Sequence, residues 1–366
     1  MIILGIESSC DETAAAVVED GRVVHSNVIA SQVALHHETG GVVPEVAARE
    51  HVVKVVPVVE EALSKAKMSW DDIDAIAVTQ GPGLLSSLVI GVTAASTMAI
   101  ALNKTLIPAN HISGHIYANW LDRDPADPIQ FPAMILTVSG GHNELVLMRS
   151  HAEFELLGET LDDAAGEAFD KVARLLGLGY PGGPHVSRAA EMGNPQRYDL
   201  PRARLEKGSY DFSFSGLKTA VLNLVKEEHE REGELSQEFI ADCCASFQEA
   251  VCDVLTDKLV RAAKEYKVKE VHLAGGVSAN RRLRAMAEEK VGKKFVLRYA
   301  ADLSYCTDNA AMIAATAFYH YEKAPDNYVI PFSGMEAGAG DKGAEAASAV
   351  GRAVLADPNL RMYSKR

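Results

Sequence analysis

Residues 1–31 read "MIILGIESSCDETAAAVVEDGRVVHSNVIAS", and residues 133–161 read "AMILTVSGGHNELVLMRSHAEFELLGETL". Each stretch is an apolar run, a small or polar turn, a second apolar run, a second turn and a third run. Asp20-Gly21 and Gly140-Gly141 are turn chemistry. Both stretches therefore predict a three-stranded antiparallel meander. The segments downstream of the two meanders also repeat. "IDAIAVTQGPGLLSSLVIGVTAASTMAIAL" (73–102) reads as strand, glycine loop and long apolar helix. "VKEVHLAGGVSANRRLRAMAEEK" (268–290) reads as strand, Gly-Gly loop and a helix with Ser278 or Asn280 near its start, both residue types that satisfy free helical N–H groups. Strands alternating with long helices define an α/β class. The repeat predicts two similar halves facing each other across a cleft. The first half is expected over 1–110, completed by a helix near 307–325, and the second over 111–306. Residues 330–366, rich in small and polar residues, read as a peripheral tail with a short helix near 343–355.

A chain of 366 residues suits two packed lobes better than one small core. Its formal net charge of −14 argues against a broad nonspecific nucleic-acid surface, although "NRRLRAMAEEKVGKK" (280–294) is locally basic. Five cysteines without a CxxC pair read as reduced thiols, not as a disulfide framework or zinc ribbon. No apolar run of 18 residues lacks a polar break, so no membrane span is predicted, and the start does not read as a signal peptide. The expected location is cytoplasmic.

"NHISGHIYANW" (110–120) places His111 and His115 four residues apart, on one face of a helix. Two such imidazoles can hold a metal or simply pack, and the intervening Ser-Gly weakens a helix. Three turns, "TVSGGH" (137–142), "GYPGGP" (179–184) and "LAGGVSAN" (273–280), carry glycine where backbone can approach a ligand and expose N–H groups to an anion. Neither a P-loop nor a Rossmann fingerprint is present. Asp170, in the helix before "GYPGGP", can accept hydrogen bonds from a ribose or base; Lys218, just after Ser215-Gly216, can neutralise a phosphate.

These segments, with "GIESSCDETAAAVV", "GGVVPEVAAREH", "QGPGLLSSLVIG", "DFSFSGLKTA" and "CTDNAAMIA", occur in an order that resembles the TsaD (Gcp, YgjD) family of tRNA N6-adenosine threonylcarbamoyltransferases over about residues 1–325. The "SGGH" histidine is closer to the bacterial and organellar branch. The resemblance implies the duplicated actin/Hsp70/sugar-kinase fold. It implies transfer of L-threonylcarbamoyl from threonylcarbamoyl-AMP to N6 of adenosine 37, in tRNAs reading codons that begin with A. It implies one divalent metal held by His111, His115 and Asp308, iron(II) favoured and zinc the alternative. The implied substrate residues are Thr137, Val138, Ser139, Gly140, Gly141, Asp170, Gly183 and Asn280. An acidic residue that follows the "GYPGGP" turn in some members is absent here, Ser187 standing near its place. The implied partners are tRNA, a TsaB-like paralogue forming a heterodimer and a TsaE-like ATPase; no membrane is expected.

Two imidazoles and one carboxylate leave positions open for substrate, as catalytic sites do. His142, beside the "SGG" turn, is the candidate general base. Among rivals, a kinase-like ATPase of this fold would need carboxylates near Mg²⁺ instead of imidazoles. A metalloprotease would need the glutamate of H-E-x-x-H, which "HISGH" lacks. A non-catalytic scaffold would not need the metal triad.

Overall fold

The two meanders form as the sequence predicts. In the computed structural model, which describes residues 1–39, 41–203, 205, 208–325 and 354–363, β1 (Ile2–Glu7), β2 (Glu12–Glu19) and β3 (Val23–Ser31) pair antiparallel. Asp20 and Gly21 adopt positive φ (50° and 65°) between β2 and β3, the backbone such a hairpin turn demands. Helix α1 (Val33–Thr39) and the long α2 (Pro44–Ala66) precede β4 (Ala75–Gly81). Helix α3 (Leu85–Leu102), β5 (Thr105–Asn110) and α4 (His111–Tyr117) come after it. The sheet order is β3-β2-β1-β4-β5, with β1, β4 and β5 parallel.

The second meander is β6 (Ala133–Val138), β7 (Asn143–Ser150) and β8 (Glu153–Glu159). Helices α5 (Ala165–Leu175), α6 (Gly182–Ala190), α7 (Ser215–Glu232) and α8 (Gln237–Glu265) come next. Strand β9 (Glu270–Ala274), α9 (Arg281–Val291) and β10 (Val296–Arg298) complete this part. Its sheet order, β10-β9-β6-β7-β8, is the first sheet's order again, with β6, β9 and β10 parallel. Helix α10 (Ala311–Lys323) is last.

The chain divides into two units, Met1–Asp127 with Thr307–Arg366, and Pro128–Cys306. Residues 111–127, expected with the second half, therefore belong to the first: α4 packs on α10, where Gly114 leaves room for Met312 and Ile313. The core of the first unit joins Leu4, Ile6, Val59, Ile76 and Val92; that of the second joins Leu136, Phe169, Phe247 and Leu255.

The tail differs from a wholly peripheral one. Residues 354–363 dock on the first unit: Asp357 N–H donates to Gln80 O (2.8 Å), Gln80 Nε2 to Leu355 O (3.0 Å) and Asn110 Nδ2 to Leu360 O (3.1 Å). The helix expected near 343–355 falls almost entirely outside the described residues. By length and composition, α3 alone among the described residues could cross a membrane, a weak signal that core helices share. Its Leu88, Val92, Ala95 and Ala99 are buried in the core of the first unit, as expected of a helix that covers a sheet.

Candidate functional site

Three elements of the first unit converge on His111 and His115. Helix α4 starts where Asn110, ending β5, accepts the Ser113 N–H through Oδ1 (3.0 Å), which satisfies a free N–H of the first turn. Gly114, which weakens a free helix, is what allows α4 to lie against α10. A Cβ there would meet Ile313 Cδ1 at 3.0 Å and Met312 Cγ at 3.1 Å. The same device seats α10 on β1: a Cβ on Gly5 would lie 2.3 Å from Ala310 O. Asp308 precedes α10 and is carried to the two imidazoles.

His111 Nε2 lies 3.6 Å and His115 Nε2 3.2 Å from the same Asp308 Oδ1. The ligand atoms of the three residues lie within 4.8 Å of one another. A tetrahedral ion with bonds of about 2.1 Å would need neighbouring ligand atoms about 3.4 Å apart, which the two measured separations bracket. Both ring nitrogens of His115 are buried and make no hydrogen bond among the described residues, although Nε2 has the 3.2 Å ion-pair contact with Asp308. A buried ring nitrogen that lacks a hydrogen bond costs on the order of 1–3 kcal/mol, and a cation at Nε2 would relieve it. The donor set and its spacing fit a divalent metal.

Sequence reasoning missed a further residue here. Glu7, at the end of β1, is fully buried, and its Oε2 lies 3.0 Å from His111 Nδ1. Ser9 N–H donates to Glu7 Oε1 and Thr79 Oγ1 to Oε2 (2.6 Å). Ser9 Oγ is 3.1 Å from the same His111 Nδ1. Burial alone would push the Glu7 carboxyl up, but His111 beside it holds it below the usual range. Burial lowers His111, while the Asp308 and Glu7 carboxylates outweigh it and push it up to about 9. The only signal in the sequence was an acid closing an otherwise apolar strand, "IILGIE".

The remaining predicted residues lie in the second unit, where the Ser139–Gly141 turn and Asn280 follow the carboxyl ends of neighbouring parallel strands β6 and β9. This is the end at which open α/β sheets bind ligands. Thr137 and Val138 are buried strand residues of β6, so the turn proper is Ser139–Gly141. Ser139 N–H donates to His142 O (2.8 Å) and His142 N–H to Ser139 Oγ (3.2 Å). The Ser139 and Gly140 carbonyls receive the N–H groups of Gly166 and Glu167 at the start of α5. Among the described residues, the Gly140 and Gly141 N–H groups have no protein partner. A Cβ on either glycine would meet nothing within 4 Å, so the turn is open on that side.

Asp170 lies in the middle of α5 and accepts the Gly182 N–H (2.7 Å), which ties α5 to the start of α6; burial pushes its carboxyl up. Gly183, next along, also faces open space. Asn280 caps α9 by accepting the Leu283 N–H (3.0 Å), and its Nδ2 donates to Ser187 Oγ and Gln248 Oε1 (2.8 Å each). Its amide is thus committed within the protein. Lys218 is also committed: with Lys171 it clamps Asp163, at 2.8 and 2.6 Å.

A duplicated sheet with loops at the strand ends places the chain in the actin/Hsp70/sugar-kinase fold class, with a His₂Asp cluster that could hold a metal. Solved structures agree on the fold. Full-length HypF in its phosphate- and nucleotide-bound form is similar with a TM-score of 0.56, at 14% identity over 91% of this chain and 47% of that one. HypF of T. kodakarensis gives 0.58, at 15% identity over 88% and 48%. The family model for TsaD, tRNA N6-adenosine threonylcarbamoyltransferase, matches residues 23–315. The protein of that name from Bacillus subtilis is 55% identical over 324 residues, 88% of this chain and 91% of that one. Its Thermomicrobium roseum counterpart is 54% identical over 338 residues, 87% and 92%. The chain belongs to the tRNA N6-adenosine threonylcarbamoyltransferase family and is a transferase of that kind.

Proposed function

We propose that the protein transfers L-threonylcarbamoyl from threonylcarbamoyl-AMP to N6 of adenosine 37, in tRNAs reading codons that begin with A, releasing AMP. The observation that carries this reading is the His111–His115–Asp308 cluster in a chain of this family. His111, His115 and Asp308 would hold one divalent cation, iron(II) by preference and zinc as the alternative; both suit a His₂Asp set. When bound, such a cation supplies a Lewis acid for a substrate oxygen.

The chain's own residues do the rest. The adenine N6 amine is a weak nucleophile because its lone pair is delocalised, so positioning and charge stabilisation dominate. The Gly140 and Gly141 N–H groups donate to a phosphate or developing oxyanion without reorganising. Asp170 fixes the Gly182-Gly183 turn, where backbone can approach the nucleoside closely. Asn280, its amide already engaged, contributes by holding the Ser187 hydroxyl. His142, which closes the Ser-Gly-Gly turn through its backbone, is the candidate acceptor for the amine proton.

An acidic chain needs help to hold polyanionic tRNA. A TsaB-like paralogue bound as a heterodimer and a TsaE-like ATPase fill that need in this reading. Exposed Val52, Val53 and Val56 on α2, with Val89 and Ile100 on α3, offer apolar surface on the first unit for a partner. The test is His111→Ala, measured for metal content and for transfer. Both should be lost while the fold survives. A variant with normal transfer and no metal would refute the metal role.

A further inference from the structure

We propose that Glu7 is a positioning residue that fixes the tautomer of His111, so that Nδ1 carries the hydrogen and the Nε2 lone pair is left for a cation. The inference rests on the reading of His111 as a metal ligand and goes beyond the ligand set itself. Glu7 is 0% exposed, closing an otherwise apolar strand. A buried carboxylate is costly unless it is paired and hydrogen-bonded. Here the protein contacts other than His111 are donors: the Ser9 N–H to Oε1 and the Thr79 hydroxyl to Oε2. Parallel pairing of β1 with β4, Ile6 beside Val78, brings Thr79 to Glu7.

A carboxylate so surrounded presents only lone pairs to the ring atom 3.0 Å away. Were Nδ1 unprotonated, two acceptors would face each other there. An Nδ1–H instead donates to Glu7 Oε2, with Ser9 Oγ at 3.1 Å as a second neighbour. The opposite nitrogen, Nε2, is the one that faces Asp308. Carboxylates that orient metal-bound imidazoles in this way typically contribute about 10–100-fold in metal affinity.

The test uses the full chain, titrated with Zn²⁺ or Co²⁺, alongside ¹⁵N imidazole spectra. In Glu7→Gln the amide oxygen can keep the Ser9 N–H, which turns the amide NH₂ toward Thr79 Oγ1 and His111 Nδ1. That donor selects the Nε2–H tautomer, whose Nε2 has no lone pair to give. The expected result is a metal Kd raised about 10–100-fold and, with Zn²⁺ bound, loss of the Nδ1–H···carboxylate signature from the His111 spectrum. Equal affinity and an unchanged tautomer in Glu7→Gln would overturn the inference while leaving the metal site standing. Should the variant fail to fold, Zn²⁺-loaded wild type decides alone. A protonated Nδ1 with metal on Nε2 supports the inference, and metal on Nδ1 overturns it. Wild type binding no metal through His111 would overturn both this inference and the reading beneath it.

Discussion

Gly166→Ala tests the Ser-Gly-Gly turn without removing any atom that substrate would touch. Gly166 stands in the first turn of α5, and its N–H donates to Ser139 O (3.2 Å). A Cβ built there lies 2.6 Å from Ser139 O, 2.7 Å from Gly140 Cα and 3.0 Å from Gly140 N. All three atoms are backbone, so none can rotate away. Ordinary contact begins near 3.4 Å, and the turn must therefore retreat from α5 by roughly 0.5–1 Å. A misplacement of about 1 Å costs on the order of 100-fold in a positioned reaction. We expect kcat/KM for threonylcarbamoyl transfer to fall about 10–100-fold, with metal content unchanged because the triad belongs to the other unit. Overpacking of this kind destabilises by about 1–3 kcal/mol, so a cooperative melt should persist. Gly216→Ala, where a Cβ meets nothing within 4 Å, is the control and should transfer normally. If Gly166→Ala matched that control while its turn was displaced, the role given to the Gly140 and Gly141 N–H groups would be wrong.

Two other contacts give further expected outcomes. Arg298 grips buried Glu270 with two nitrogens (2.7 and 3.0 Å), and His272 adds a third contact (3.2 Å). Burial would raise the Glu270 carboxyl, but these partners outweigh it and bring it down to about 2. A depressed carboxylate stabilises the fold fully above its unfolded value near 4.5 and ceases to as pH falls toward 2. The ceiling is about 3 kcal/mol. Denaturant melts at pH 5 and pH 3 should therefore diverge less for Glu270→Gln than for wild type, and an equal loss in both would remove Glu270 from acid unfolding. Gly81→Ala would put a Cβ 1.7 Å from Asp357 O, lifting residues 354–363 off the first unit. Hydrogen bonds there are worth about 0.5–1.5 kcal/mol each, so losing the three that dock the segment should speed exchange of the Asp357 amide at least about 10-fold. Unchanged protection would mean that this segment is not held by the contacts described.

Much of this was legible in the chain because it depends on local pattern. Apolar runs broken by Asp20-Gly21 and Gly140-Gly141 report hairpins directly, and the repeat of strand, glycine loop and helix reports the duplication. Asn280 could be read as a helix start, but not that its Nδ2 would be taken by Ser187 and Gln248, 93 and 32 residues away. Glu7 escaped notice for the same reason. Its partners Thr79 and His111 meet it only through the parallel register of β1, β4 and β5. Lys218 looked like a free cation because Asp163, which holds it, lies 55 residues earlier. The boundary at residue 110 was misjudged because α4 continues directly from β5, while Gly114 commits it to α10 of the same unit.

The central claim is threonylcarbamoyl transfer at a site built on His111, His115 and Asp308. The most direct test supplies the full chain with unmodified tRNA, threonylcarbamoyl-AMP, a divalent metal and the partner proteins, then measures the tRNA nucleosides by mass. Wild type should yield N6-threonylcarbamoyladenosine, and His111→Ala and Asp308→Ala should not. The modified nucleoside formed equally by all three proteins, or by none of them, would contradict the account.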